Sequence, residues 1–304
     1  MREFTALVNP ISGGGRAAAA WEPVAAGLRD RGATVRTEPT RGRVHALELA
    51  EVAAGRGDVV VAVGGDGLVR DVAGGVVAAG SGAMAIVPAG RGNDLAHTLG
   101  VPTGPAALVT MLLDGPERAI DVLDVNGVIA PGNVYVGVDS MATQIINNNR
   151  RMPALLLYRL AGVIAVTRWR PSTYTIDVDG VTRTLQARSV VVANSGRYGH
   201  GLRIVPPAVV DDGHLDVLVI GEGPRSAVVR FIAEARTGAH VRRPEVELAV
   251  GRSVTIDVDR PLPLCADGDE VGLLPAVVHL REAALPIVVP AVVPAAGPET
   301  GSRP

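Results

Sequence analysis

The sequence predicts an α/β protein: a doubly wound parallel sheet in the N-terminal part, followed by a mostly antiparallel β-sandwich domain. Three observations carry this. Four strand-turn-helix units follow one another in about the first hundred residues, the pattern of right-handed parallel crossovers. From about Asp121 the texture changes to short apolar strands separated by turns such as Asn126-Gly127 and Asp179-Gly180, which is hairpin chemistry. A length of 304 residues exceeds the usual single domain of roughly 100–200 residues. The boundaries read from the sequence are 1–121 and 122–284 for the two domains, with 285–304 as a flexible tail rich in Pro and small apolar residues.

Taken in order, Thr5 to Val8 is the first strand and runs into Asn9-Pro10-Ile11-Ser12-Gly13-Gly14-Gly15, with an alanine-rich helix from Arg16. Gly13, Gly15 and Ala18 match a G-x-G-x-x-A dinucleotide pattern with Glu38 about twenty residues on. That match is weak, because Ala and Gly are abundant here and Pro10 lengthens the turn. Thr34 to Arg36 is the second strand, followed by Thr40-Arg41-Gly42-Arg43 and a helix over Val44 to Ala54. Val59 to Val63 is five apolar residues, four of them β-branched: too few for a helix, and suited to a strand buried on both faces. Gly64-Gly65-Asp66-Gly67 ends it, and Leu68 to Ala79 has apolar residues at helical spacing. Ala83 to Val87 is the fourth strand and leads into Pro88-Ala89-Gly90-Arg91-Gly92-Asn93-Asp94. The turns after these strands share one edge, where such sheets bind ligands.

In the second domain strands are expected at Asp121 to Val125, Val134 to Val138, Tyr174 to Val178, Thr182 to Ala187, Val190 to Ala193, Leu215 to Ile220, Val254 to Val258, Leu262 to Ala266 and Ala276 to Leu280. One apolar helix near 153–168 contains Leu155, Leu156, Leu157 and Ile164, with Trp169 after it. It is flanked by Arg150, Arg151, Arg159, Arg168 and Arg170. Such a helix either docks on anionic lipid headgroups or packs with snorkelling ends.

The glycine turns carry the chemistry. At a strand-to-helix turn backbone N–H groups are unpaired and the helix dipole points its positive end outward, so a phosphate is favoured and glycine lets it come close. This makes the first domain a nucleotide-binding candidate. Asp66 stands out, because a carboxylate beside a phosphate is repelled unless it holds a metal ion or accepts a proton from an attacking hydroxyl. That points to phosphoryl transfer. An ordinary turn with an N-capping Asp explains the same residues, and Asn93-Asp94 likewise reads as a cap pair or as cleft residues. All 29 basic residues are arginine, which excludes a Walker A lysine.

Composition narrows the classes further. The single Cys265 excludes disulfide frameworks and multi-cysteine metal sites and fits a reducing compartment. A net charge of -2 and few aromatics argue against nucleic acid. Met1-Arg2-Glu3-Phe4 is no secretory leader, and no run of about 18 uncharged apolar residues is present. The expected location is cytoplasmic, peripheral at the inner face of the membrane. His45, His97, His200 and His240 make no metal-ligand spacing with one another.

Asn9-Pro10 with Ser12-Gly13, Gly64-Gly65-Asp66-Gly67, Gly90 through Asp94, Asp212-Gly213 and Asp267-Gly268 together resemble the diacylglycerol kinase catalytic family, in that family's order and over nearly the whole chain. The resemblance implies an ATP-binding domain, a β-sandwich, a cleft between them, and transfer of the γ-phosphoryl of ATP to a lipid hydroxyl. By similarity Asn9, Ser12, Gly13, Thr40, Gly64, Gly65, Gly67, Arg91 and Asn93 bind nucleotide. Asp66, Asp267 and Asp269 are the implied catalytic carboxylates. Asp212, with the carbonyls of Val209 and His214, is the implied Mg²⁺ loop, and oxygen-only ligation suits that ion. Plain Asp-Gly turns with solvated acids remain open for both later motifs. The implied partners are a lipid alcohol, a membrane surface and a second copy of the chain as a homodimer.

The chain departs from the family at visible places. Leu68 replaces a Thr, and Arg91 replaces a Thr or Ser but can hold phosphate bidentately. Asp269 stands where the family has a glutamate base, one methylene shorter, and Glu270 can substitute only if the backbone turns. Two other readings stay open. An NAD kinase shares the Gly-Gly-Asp-Gly turn, although this chain lacks the Asn-Glu pair expected there. A nucleotide-binding homologue without turnover would explain the three departures together.

Overall fold

The structure, a computed structural model, describes residues 2–149, 154–170, 172–199, 201–223 and 228–291, with the backbone alone at 154–159 and 228–229. The first half alternates strands and helices: β1 Glu3–Val8, α1 Ala17–Asp30, β2 Thr34–Pro39, α2 Arg43–Gly55, β3 Val59–Gly64, α3 Asp66–Ala79, β4 Ala83–Pro88, α4 Asp94–Thr98 and α5 Pro105–Asp114. The four strands pair in parallel in the order β2-β1-β3-β4. Every residue of β3 is buried, as a β-branched central strand covered on both faces must be. Helices α2 and α3 pack closely because α3 carries Gly75, where a Cβ would lie 2.6 Å from Ala50 Cβ.

The second half runs β5 Glu117–Val125, β6 Val128–Ala130, β7 Asn133–Gly137, α6 Val138–Asn148, α7 Ala154–Arg168, β8 Ser172–Val178, β9 Val181–Ala193 and β10 Leu215–Gly221. It continues with α8 Val228–Ala235, β11 Val246–Gly251, β12 Ser253–Val258, β13 Pro263–Ala266, β14 Asp269–Leu273 and β15 Ala276–Val288. Pairing among these strands is antiparallel, and β15 also makes one parallel pairing to β4. β9 bends so that its first part pairs with β8 and its last part lies between β7 and β10. The sandwich core holds Val136, Tyr174, Val192, Leu215, Ile256 and Val278.

The α/β class with a parallel N-terminal sheet and a C-terminal antiparallel sandwich agrees with the expectation. Several local readings do not. β15 runs on to Val288, so residues 285–288, placed in the tail, are strand; Leu285, Ile287, Val288 and Val289 are buried in the first core. Their Pro-flanked composition hid this, because the partners that order them, β5 and β4, are distant in sequence. Residues 292–304 lie outside the described residues. Val138 opens α6 instead of closing a strand, since Gly137 at φ 117 breaks the ladder and the Ser140 hydroxyl accepts its N–H at 3.0 Å. The two strands expected within 182–193 are one. β6, β11, β14, α6 and α8 have no counterpart in the sequence reading.

Candidate functional site

The turns after β1, β3 and β4 meet at one edge of the parallel sheet. Asn9 Oδ1 accepts the Ile11 N–H at 3.1 Å, and the Ser12 N–H donates to the Asn9 carbonyl at 3.1 Å, which folds the first turn back. Gly13 sits at φ 60 where a Cβ would be 2.6 Å from the Ala89 carbonyl, so only glycine lets this turn lie on the one after β4. Ser12 Oγ lies 3.2 Å from where a Cβ on Gly64 would be, and a Cβ on Gly65 would lie 3.1 Å from Gly90 Cα. Asn93, at φ 57, ties the β4 turn through its Oδ1, which accepts the Gly90 N–H at 2.8 Å. Thr40 joins the edge by donating its N–H to the Val8 carbonyl at 2.9 Å, and its side chain is buried. Arg91 is exposed at the tip of the β4 turn.

Four carboxylates gather where this edge meets the sandwich. Asp66 is the first residue of α3 and accepts the N–H of Asn93 at 2.8 Å on one oxygen and of Asp94 at 2.7 Å on the other. It is therefore no N-cap; it clamps the β3 turn to the β4 turn. Nor does Asn93 make a side-chain cap bond. Burial, then the charges of Asp94 and Asp267, push Asp66 up to about 7. Asp94 reaches into the second domain, where its Oδ1 accepts the Gly201 N–H at 2.7 Å. Asp267, at φ 45, accepts the N–H of Asn133 at 2.8 Å and of Gly132 at 3.3 Å. Burial pushes it up to about 6 against those hydrogen bonds. Asp269 Oδ2 lies 2.5 Å from where a Cβ on Gly67 would be, so Gly67 makes room for that carboxylate.

The loop carrying Asp212 sits elsewhere. None of Val209, Asp212 and His214 lines the cavity described below. The loop is held through Asp121, whose carboxylate accepts the N–H of Gly213 at 2.8 Å and of Ala283 at 2.7 Å, while its own N–H donates to the Val210 carbonyl at 2.7 Å. Asp212 Oδ1 accepts the His214 N–H at 3.1 Å, and the His214 ring turns back 2.7 Å from the Asp212 carbonyl. Among the described residues no group of three or more His, Cys, Asp or Glu can hold a metal. A divalent ion at this loop would therefore use no more than two carboxylates, completed by carbonyls and water, a donor set that fits Mg²⁺.

A cavity of about 1190 Å³ opens from Asp66, Asp94 and Asp267 into the sandwich domain. Its walls are mainly apolar and include Val69, Leu95, Ile146, Val163, Leu202 and Phe231, from α3, α4, α6, α7, a loop and α8. Beyond its acid end the cavity holds a hydrogen-bonded polar patch: Asp139 Oδ2 accepts the Ser189 hydroxyl at 2.7 Å and the Tyr198 hydroxyl at 2.6 Å, and Tyr198 stacks on Tyr135 with ring centroids 5.0 Å apart. Burial raises the Asp139 pKa. His240 is fully buried outside the cavity with Nε2 on the Ile204 carbonyl, and burial lowers its pKa, so it is a neutral packing residue. His200, Arg150, Arg151 and the side chains of Leu155, Leu156, Leu157 and Arg159 lie outside the described residues.

The structure thus brings together Asn9, Ser12, Gly13, Gly64, Gly65, Gly67, Asp66, Asn93, Asp267 and Asp269 across 260 positions of sequence and leaves Asp212 apart. Sequence reasoning missed Asp121 and Asp139, which lie in ordinary-looking strand and helix starts and carry no pattern. It missed Arg70 too, a charged residue that is buried beside the apolar stripe of Val69, Val72, Ala73 and Val76.

Comparison with known proteins agrees with this architecture in both halves. Residues 3–125 match the diacylglycerol kinase catalytic domain, and residues 132–289 match the YegS C-terminal NAD kinase beta sandwich-like domain. The diacylglycerol kinase of Mycobacterium tuberculosis (strain CDC 1551 / Oshkosh) is 34% identical over 298 residues, 95% of each chain. That of Bacillus subtilis (strain 168) is 24% identical over 72% of this chain and 73% of its own. A crystal structure of a diacylglycerol kinase from Bacillus anthracis str. Sterne shares the fold, with a TM-score of 0.73 at 19% identity over 96% of this chain and 98% of that one. With both halves matched in order and a relative similar along nearly its full length, this chain belongs to the diacylglycerol kinase family, kinases that transfer phosphate to an alcohol.

Proposed function

We propose that the protein transfers the γ-phosphoryl group of ATP to the hydroxyl of a lipid such as diacylglycerol. The observation that carries this reading is the apolar-walled cavity whose polar end is the acid cluster beside the glycine turns. A lipid tail would lie along the wall with its hydroxyl at Asp267, two residues before Asp269, while the nucleotide phosphates would lie on the turns after β1, β3 and β4. The turns suit phosphate because they end strands where helices begin, with Gly65 and Gly67 on either side of the first residue of α3, at the positive end of that helix. Asp269 takes the proton of the attacking hydroxyl as the new O–P bond forms and the bond to the departing ADP oxygen breaks. Asp66 holds the two turns in register, and Asp267 orients the acceptor end. Asp212 with the Val209 and His214 carbonyls would hold a Mg²⁺ ion, which would order this loop in a supporting role apart from the phosphates.

The rim of the cavity supports docking on a bilayer. Leu160 and Val163 on α7 and Ile232 on α8 are 40%, 45% and 39% exposed, with Arg168, Arg230 and Arg236 exposed nearby in sequence. Apolar side chains ringed by arginine suit an anionic lipid surface. Among the described residues no helix is long and apolar enough to cross a membrane.

The test is ATP turnover by the purified protein with Mg²⁺, with diacylglycerol in mixed micelles, sphingosine and NAD as separate acceptors, beside Asp66→Asn and Asp269→Asn. Phosphorylated diacylglycerol from the native protein, lost in both variants, is expected. Product from NAD overturns the reading, and ATP binding with no acceptor phosphorylated favours a homologue without turnover. Sedimentation with vesicles containing anionic lipid, reduced by Val163→Asp, checks the docking rim.

A further inference from the structure

Arg70 is 3% exposed, on a face of α3 that it shares with Asp66, Ala73, Gly74 and Val77. A guanidinium out of water is costly unless it is paired and hydrogen-bonded, so its partners indicate its purpose. Nη1 donates to the Ala266 carbonyl at 3.0 Å. Nη2 donates to Asp71 Oδ1 at 2.9 Å and lies 3.4 Å from Asp269 Oδ2. Nε approaches Asp71 Oδ1 at 3.3 Å, and Arg43 Nε faces that oxygen at 3.7 Å. Ala266 ends β13 and Asp269 begins β14, and the two pair directly. Between them lies only the Asp267-Gly268 turn, with Asp267 at φ 45. A single side chain of α3 therefore grips both ends of the turn that carries Asp267 and Asp269.

We propose that Arg70 is the positioning residue for Asp269, holding the short carboxylate over Gly67 at the start of α3 so that it can serve as the base. The inference rests on the lipid-kinase reading and deepens it. Aspartate has one methylene less than the glutamate that the resembled family carries here, so its reach depends on where the turn backbone sits and which rotamer is held. Arg70 fixes both. The carbonyl bond sets the end of β13, and the ion pair draws Oδ2 toward Gly67, the glycine where a Cβ would be 2.5 Å from that oxygen. Asp71 holds the guanidinium plane from within the same helix. Lysine cannot reproduce this, because one ammonium does not span a carbonyl and two carboxylates as a planar fork does.

The experiment is a kinetic cycle on the full chain with Mg²⁺, ATP and diacylglycerol micelles: native, Arg70→Gln, Asp269→Glu and the double variant, with Arg70→Lys alongside and thermal melts of each. For Arg70→Gln, kcat is expected to fall about tenfold or more with KM for ATP and lipid within about twofold. For Arg70→Lys the loss is smaller and in the same direction. Adding Asp269→Glu to Arg70→Gln is expected to raise kcat at least threefold, more than it does in the native background, because a longer stem depends less on the clamp. A native-like kcat in both Arg70 variants overturns the proposal. So does a loss confined to KM, or an Asp269→Glu effect of equal size in the two backgrounds, which is what a merely structural arginine gives. If Arg70→Gln melts below the assay temperature, Arg70→Lys carries the same cycle. If the native protein phosphorylates no lipid, the functional reading falls before any variant is compared, and this inference falls with it.

Discussion

Asp66 shows how a single residue joins structure to chemistry. Its two oxygens accept the N–H groups of Asn93 and Asp94, and burial and like charge still push it up to about 7, with Asp267 at about 6. Both are raised above the ordinary carboxylate range, so the folded state binds more protons than the unfolded one between about pH 4 and these values. Their contribution to stability is fully present below about pH 4 and is lost as pH rises through about 6 and about 7. The melting midpoint of the ligand-free protein is therefore expected to fall between pH 5 and 8. Asp66→Asn should melt lower than native at pH 5, since one backbone N–H loses its acceptor, at a cost of about 1–3 kcal/mol. The gap should narrow toward pH 8, and melts at four pH values check this; a constant gap counts against a shifted Asp66. The sequence exposed this residue as anomalous, because a carboxylate in a glycine turn has few uses. It did not expose the clamp, which depends on N–H groups 27 and 28 positions away.

At the level of elements, the edge of the parallel sheet works because its turns touch one another. A Cβ on Gly90 would collide with Gly65 Cα and would lie 2.8 Å from Asn93 Oδ1. The Gly65 contact is with backbone, which no change of rotamer relieves. Gly90→Ala is expected to cost about 1–3 kcal/mol by overpacking and to weaken ATP binding several-fold by parting the β3 and β4 turns. Gly104→Ala, where a Cβ meets nothing within 4 Å, is the matched control and should leave both unchanged. Calorimetric titration of a non-hydrolysable ATP analogue into each variant measures the difference. These elements were legible because period, length and glycine punctuation all agreed for β1 to β4. α6 and α8 were not, although Val138 and Met141 of α6 pack in the sandwich core and Phe231 and Ala235 of α8 in a third apolar cluster. α6 ends in Asn147 and Asn148, which read as loop, and α8 has only eight residues.

For the molecule as a whole, β15 decides how the two halves behave. Its first part pairs with β12 in the sandwich, its later part with β5, and Ile287 pairs with Met84 of β4 in the parallel sheet. The strand order places it between β12 and β4, so one continuous sheet crosses from one core to the other. No local pattern reveals this, because Ile287 and Met84 are 203 positions apart. Asp66 and Asp267 belong to opposite halves, and that strand joins the sheets of the two. Unfolding is then expected to be a single transition seen equally from both sides. The protein supplies its own reporters: Trp21, 1% exposed, lies in the first core and Trp169, 4% exposed, in the second. Trp21→Phe and Trp169→Phe each leave one of the two tryptophans as the probe. Ile287→Ala removes a fully buried side chain from the first core, at a cost of about 2–5 kcal/mol. In both single-tryptophan backgrounds it should lower the urea midpoint by the same amount, although Trp169 belongs to the other core. A shift seen by Trp21 alone would mean that the halves unfold separately and that the carboxylates of the site are held together only by the loops between them.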